Sequence, residues 1–148
     1  GRQRRLGLRG GVMVDATSAD AASDRKSASG GVLYFHGCAI ATRSRRQSCV
    51  ALSSAESELY ALGSGAVEAL GFATLLEEWH EPTVPVLCSD SSSALHVVNK
   101  RGPGRMKHTA LRMLALQEWC EQKRLRFEKC TPTRQATFST NRCHTIAW

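Results

Sequence analysis

Three acids in this chain are spaced so that they could share one task. Asp15 closes the strand-like run Gly11-Val12-Met13-Val14. Asp90 closes a second run, Val84-Pro85-Val86-Leu87-Cys88-Ser89. Glu58 lies just over one turn into a helix that Ser53 starts. Hard carboxylate oxygens suit Mg²⁺, which keeps part of its water shell and completes its coordination with a substrate phosphate. Two such ions about 3.5–4 Å apart activate a water and stabilise the leaving oxygen of a phosphodiester. Aspartates at strand ends are rigidly aimed, and a glutamate on a helix crossing the sheet reaches the same point. Asp15, Glu58 and Asp90 are therefore the candidate catalytic and metal-holding residues, with Mg²⁺ as the ion and Mn²⁺ as its substitute.

Each acid also has a simpler explanation. Asp15 could close a strand as a turn residue, and Asp90 could cap the helix that begins near Ser91. Glu56 has a good structural reason of its own. Ser53-Ser54-Ala55-Glu56 fits a capping box, in which the serine hydroxyl accepts a backbone N–H and the glutamate reaches back to the cap. Glu58 is at neither the cap nor the third helical position, so it carries the functional reading.

The elements that must hold these acids follow from local patterning. Gly10 to Ala16, Gly31 to Gly37 and Cys38 to Thr42 read as strands, the last two as a hairpin. A basic segment, Arg43-Ser44-Arg45-Arg46-Gln47, follows. The helix from Ser53 carries Leu59, Leu62, Ala66, Leu70 and Ala73 as an apolar stripe ending near Trp79. Gly63, Gly65 and Gly71 weaken it by up to about 1 kcal/mol each, which implies another backbone packed close. Val86 to Ser89 is a strand, Ser91 to Asn99 a short helix, and Thr109 to Gln122 a third helix with Leu111, Leu114, Ala115 and Trp119 on its buried face. Tyr60, Trp79 and Trp119 fall on these stripes as core residues. Leu125 to Cys130 alternates like an edge strand. The order β-β-β-α-β-α-α-β describes an α/β domain, a mixed sheet with helices packed on it.

The composition agrees with one domain of this kind: 148 residues, 42% hydrophobic. A formal charge of +7 favours a polyanionic partner, nucleic acid before an anionic membrane. Arg43, Arg45, Arg46, Lys100, Arg101, Arg105, Lys107 and His108 are candidate nucleic-acid contacts; ordinary solvated charge is the alternative for each. No apolar run approaches the roughly 20 residues of a membrane helix. None of the six cysteines forms a C-x-x-C pair, and Cys143-His144 has no second ligand pair, which argues against zinc. Free thiols and an intracellular protein, cytoplasmic or nuclear, are expected. The chain does not start with Met and reads as a fragment.

Four ordered segments resemble the ribonuclease H domain of Ty1/copia-type retrotransposon Pol polyproteins. Arg25-Lys26-Ser27-Ala28-Ser29-Gly30-Gly31 resembles that family's R-K-S-x-S-G stretch. Val50-Ala51-Leu52-Ser53-Ser54-Ala55-Glu56-Ser57-Glu58-Leu59-Tyr60-Ala61-Leu62 resembles V-A-L-S-S-x-E-A-E with its following x-A-L. Ser89-Asp90-Ser91-Ser92-Ser93-Ala94 resembles the segment around the family's middle aspartate, and Lys107-His108 through Arg112 its K-H region. The match runs from about Val12 to Lys129. It implies a ribonuclease-H-like fold, a mixed five-stranded sheet flanked by helices, and endonucleolytic hydrolysis of the RNA strand of an RNA–DNA hybrid during reverse transcription. A reverse transcriptase domain in the parent polyprotein is the implied partner. The resemblance makes Glu58 the metal-holding glutamate, Asp90 the middle aspartate, and gives His108 a part in substrate positioning or product release.

Two departures stand out. The family opens D-A-D-W-A or D-S-D-W-A. Ungapped counting from Arg25 puts the first acid on Asp15 but Thr17 and Ser18 at the second acid and tryptophan; a gapped reading would use Asp20 instead. The family's closing N-P-A-D motif, whose aspartate completes the metal site, has no counterpart, since no acid follows Glu128. Codons possible for Arg134 to Cys143 read in a shifted frame permit a Pro-x-Asp-Leu stretch, which implies a frameshift. The domain is thus bounded as a basic extension over 1–10, the ribonuclease-H-like domain over 11–130, and a degenerate, poorly ordered tail over 131–148. The missing acid implies impaired cleavage, and the alternative is a catalytically inactive remnant that still binds hybrid or double-stranded nucleic acid. A phosphotransferase of the same wider fold would need a glycine-rich phosphate loop that the sequence lacks.

Overall fold

The computed structural model describes residues 11–17 by backbone alone, and 27–36, 38–100 and 110–130 in full apart from the Ala110 side chain. The extension over 1–10 and the tail over 131–148 lie outside the described residues, as do Asp20, Arg101, Arg105, Lys107 and His108. Five strands, β1 (Gly11–Thr17), β2 (Ala28–Phe35), β3 (Cys38–Arg46), β4 (Val86–Ser89) and β5 (Arg126–Lys129), form one sheet in the order β3-β2-β1-β4-β5. The first three strands are antiparallel neighbours, whereas β1–β4 and β4–β5 run parallel. The helices are α1 (Ser54–Glu78), α2 (Ser92–Asn99) and α3 (Ala110–Glu121).

One apolar cluster joins all three helices to the sheet: Leu59, Leu62, Ala66 and Ala69 of α1, Ala94 and Val98 of α2, Met113 and Leu116 of α3, with Leu87 and Leu125 beneath. Helix α1 packs on β1, β2 and β4. Ser53 is its N-cap and accepts the Glu56 N–H at 3.2 Å. Glu56 closes the box one residue earlier than expected, accepting the Leu52 N–H at 2.8 Å.

Several expectations are corrected. The basic segment does not follow β3 but forms its second half up to Arg46. Edge strand β3 is exposed over most of its length, so alternate residues on both faces can be charged without burial. The buried face of α3 is Met113, Leu116 and Gln117, not Leu111 and Leu114, which are 84% and 42% exposed. Sequence offers two competing stripes on that helix, and the buried one contains a glutamine. Gln117 resolves its polarity by donating from Nε2 to the carbonyls of Val97, at 3.1 Å, and Lys100, tying the end of α2 to α3. Trp79 is the C-cap of α1 and 65% exposed rather than core. Nothing approaches the position of an added Cβ at Gly63 or Gly71, so close backbone packing does not explain either glycine. Finally, α1 is long and apolar enough to cross a bilayer by length and composition alone, contrary to the absence expected of such a run. Its Leu59–Leu62–Ala66–Ala69–Leu76 face is instead buried in the core.

Candidate metal and nucleic-acid site

Asp15 and Asp90 reach the same edge of the sheet through parallel pairing. Met13 of β1 is paired with Cys88 of β4, and each acid stands two residues further along its chain. They are therefore equally far from that pair, but Asp15 lies inside β1, which runs on to Thr17 and so is not closed by it, and Asp90 lies just past the end of β4. In open α/β sheets that end is where ligands bind. Asp90 is exposed, just beyond β4. It does not serve as the cap of α2: Ser91 does, accepting the Ala94 N–H at 3.3 Å, and Ser89 Oγ accepts the Ser91 N–H at 3.2 Å. Only the backbone of Asp15 is described, and it is paired with Gly30 of β2.

Glu58, half-buried, is the fifth residue of α1. A polar joint fixes this part of the helix to the sheet. Gln47, buried just past β3, donates its backbone N–H to the Ser27 carbonyl at 2.8 Å. Its Nε2 meets Ser29 Oγ at 2.7 Å, the Ser57 carbonyl at 2.9 Å and Ser57 Oγ at 3.2 Å. Ser29 is paired with Ala16, the neighbour of Asp15, and Ser57 is the neighbour of Glu58. Glu56 is engaged elsewhere, through the Leu52 N–H and the Tyr60 hydroxyl, which donates to it at 3.1 Å. Among the described side chains no three His, Cys, Asp or Glu residues gather as a metal cluster, and the Asp15 side chain is not one of those described.

Beside this joint lies a pocket of about 220 Å³ lined by Arg43, Arg45, Arg46 and Arg112, with Ser29, Gln47 and Ser48 among its polar walls. Three arginines proposed from sequence thus share one cavity. Lys100 is the exposed C-cap of α2 and is not part of it. Arg43 is paired with Glu68, both partly exposed, which holds edge strand β3 to α1. Arg112 and Tyr60 were missed as site residues. The Arg112 guanidinium sits 4.9 Å above the Tyr60 ring, which is half-buried in the pocket wall and not core. Burial first, and then the bond to Glu56, raise the Tyr60 hydroxyl above its ordinary 10.0, keeping the ring neutral. Arg112 closes the K-H segment in sequence, so a signal existed; its distance of more than fifty residues from Tyr60 hid the pairing.

The geometry defines a class. The solved ribonuclease H1 called LC11, isolated from compost by a metagenomic approach, matches with a TM-score of 0.62 at 12% identity, covering 89% of this chain and 91% of that one. The Prototype Foamy Virus protease-reverse transcriptase matches with the same TM-score, 0.62, at 12% identity, covering 92% of this chain but 19% of that one. LC11 in complex with an RNA/DNA hybrid gives a TM-score of 0.56 at 13% identity, over 86% and 89% of the two chains. These likenesses show a ribonuclease-H-like fold. No family model matches the chain. In sequence, the chain is 34% identical over 124 residues to the retrovirus-related Pol polyprotein from transposon TNT 1-94 of Nicotiana tabacum; this spans 80% of the chain and 9% of that polyprotein. The chain belongs with the ribonuclease H domains of retrotransposon Pol polyproteins.

Proposed function

We propose that this domain hydrolyses the RNA strand of RNA–DNA hybrids endonucleolytically, with Asp15, Glu58 and Asp90 holding Mg²⁺ or Mn²⁺. The observation that carries the reading is the equal offset of Asp15 and Asp90 from the paired Met13 and Cys88, beside the joint that holds Ser57, the neighbour of Glu58. The donor set is one of carboxylate oxygens, which fits a hard divalent cation and not a soft one. Bound there, such ions would supply an activated water and charge neutralisation at the scissile phosphate. The chain's own residues supply the placement: one acid within β1, one just past the end of β4, and one on a capped helix. The arginine pocket supplies contacts to backbone phosphates, which orient a duplex without reading its sequence. The copia-type assignment rests on the motifs around Ser29, Glu58 and Asp90. A reverse transcriptase domain as polyprotein neighbour, and an intracellular site of action, complete the proposal.

Cleavage of an end-labelled hybrid tests it. Activity should require Mg²⁺ or Mn²⁺, should fall at least a hundredfold in Glu58→Gln and in Asp90→Asn, and should survive Glu56→Gln within a few fold. Equal loss from Glu56→Gln would transfer the role to the wrong face of α1 and overturn the assignment. The absence of any acid after Glu128 favours a second reading, a remnant that binds hybrid and cuts slowly or not at all. Hybrid binding without metal-dependent cleavage would support it. Restoring the alternative frame after Thr133 should then raise cleavage, and codons unable to yield an aspartate there would end the frameshift explanation.

A further inference from the structure

Gln47 is 8% exposed and the only residue whose side chain has a buried polar atom, Oε1, without a hydrogen-bond partner among the described residues. Its nitrogen is crowded by contrast, facing three oxygens with two hydrogens. One of those oxygens, the Ser57 carbonyl, can only accept, so the nitrogen must face it and the amide cannot turn over. A residue that merely filled this space could be apolar and would carry no unmet acceptor. The contribution of the carboxamide therefore lies in the bonds its nitrogen makes. Those bonds run from a strand that pairs with Asp15 to the residue before Glu58. Backbone pairing holds β1 to β2, and packing holds α1 to the sheet, but packed apolar faces resist sliding less well than directional bonds do.

We propose that Gln47 is a positioning residue for the carboxylate site. Its amide sets the height and rotation of the first turns of α1 over the β1–β2 pair, and so the distance of Glu58 from Asp15 and Asp90. The inference rests on the reading of these three acids as a metal site. It assigns Gln47 no contact with substrate or metal.

The test separates metal binding from hybrid binding and from stability. Mn²⁺ binding to the protein alone is followed by electron paramagnetic resonance, hybrid affinity by anisotropy without activating metal, and folding by thermal unfolding. Gln47→Met fills the same volume without the nitrogen. It should weaken Mn²⁺ binding at least fivefold and raise the Mg²⁺ concentration for half-maximal cleavage in proportion. Ser29→Ala and Ser57→Ala, which weaken the joint without emptying the core, should each give a smaller change in the same direction. They keep the proposal testable if Gln47→Met does not fold. Folded variants of either kind with parental Mn²⁺ affinity would overturn it. If the parent protein's Mn²⁺ binding is absent, or is indifferent to Asp90→Asn, the metal-site reading itself fails and the proposal falls with it.

Discussion

Replacing Arg45, Arg46 and Arg112 with glutamine removes three of the four guanidinium groups around one pocket and leaves Arg43 on its ion pair with Glu68. If each of the three sits on a phosphate, the slope of log affinity against log salt should flatten by about 0.9 per contact, or about 2.7 in all. Over a fourfold rise in salt, from about 50 to 200 mM, the parent should then lose about 40-fold more affinity than the variant. Arg45 and Arg46 are exposed on an edge strand, and the Arg112–Tyr60 contact contributes only about 0.5–1 kcal/mol. The assay is anisotropy of a labelled hybrid titrated across salt concentrations with EDTA present. Two unrelated sequences should respond alike, because phosphate contacts carry no base information. An unchanged slope in a folded variant would mean these charges are a solvated face, and the pocket would lose its role.

Three further outcomes are expected. Gly63→Ala and Gly71→Ala should each stabilise the domain by about 0.5–1 kcal/mol, since both positions are helical and a Cβ meets nothing; urea unfolding reads this directly, and a loss would place an unrecognised contact there. Gln117→Leu should destabilise by about 1–3 kcal/mol by removing the donor that the Val97 and Lys100 carbonyls share, the Val97 carbonyl keeping the Lys100 N–H, with the same unfolding measurement deciding. Tyr60 titrates above 10.0 in the fold, so its contribution to stability is complete below the unfolded value and disappears as pH rises through the folded one. Absorbance titration of the phenolate should show the late ionisation, and Tyr60→Phe should remove the corresponding alkaline fall in stability.

What sequence made legible was set by short-range chemistry. Ser53 is a cap because a serine hydroxyl can satisfy an N–H three residues on, and α1 begins there; for α2 the sequence offered Asp90 as the cap, and Ser91 takes that place. Val86 to Ser89 is a strand with the bounds its flanking prolines and serines imply. The misreadings came where two patterns compete or where partners are far apart. On α3, leucines at 111 and 114 outweighed a stripe whose third member is polar; the distant carbonyls of Val97 and Lys100 accept from Gln117 in the interior. Tyr60 looked like core because its stripe is apolar, yet Arg112 and Glu56 make its environment polar on two sides. Gln47 carried no signal at all, since its three acceptors come from residues 29 and 57, on either side of it in sequence.

The two glutamates of α1 show how one helix turn can separate structure from chemistry. Successive residues are about 100° apart around a helix, so residues two apart point to nearly opposite sides. Glu56 faces the Leu52 N–H and the Tyr60 hydroxyl, on the side of the arginine pocket wall. Ser57 faces Gln47 and the sheet. Glu58 lies a further step round the helix, nearly opposite Glu56. A shift of one residue in the cap would turn each of these side chains by about 100° and break both assignments. The register of α1 is therefore fixed twice, by Ser53 at its start and by Gln47 beneath its first turn. That double fixing is what the proposed chemistry requires, since carboxylates that share an ion must be placed by the fold before the ion arrives.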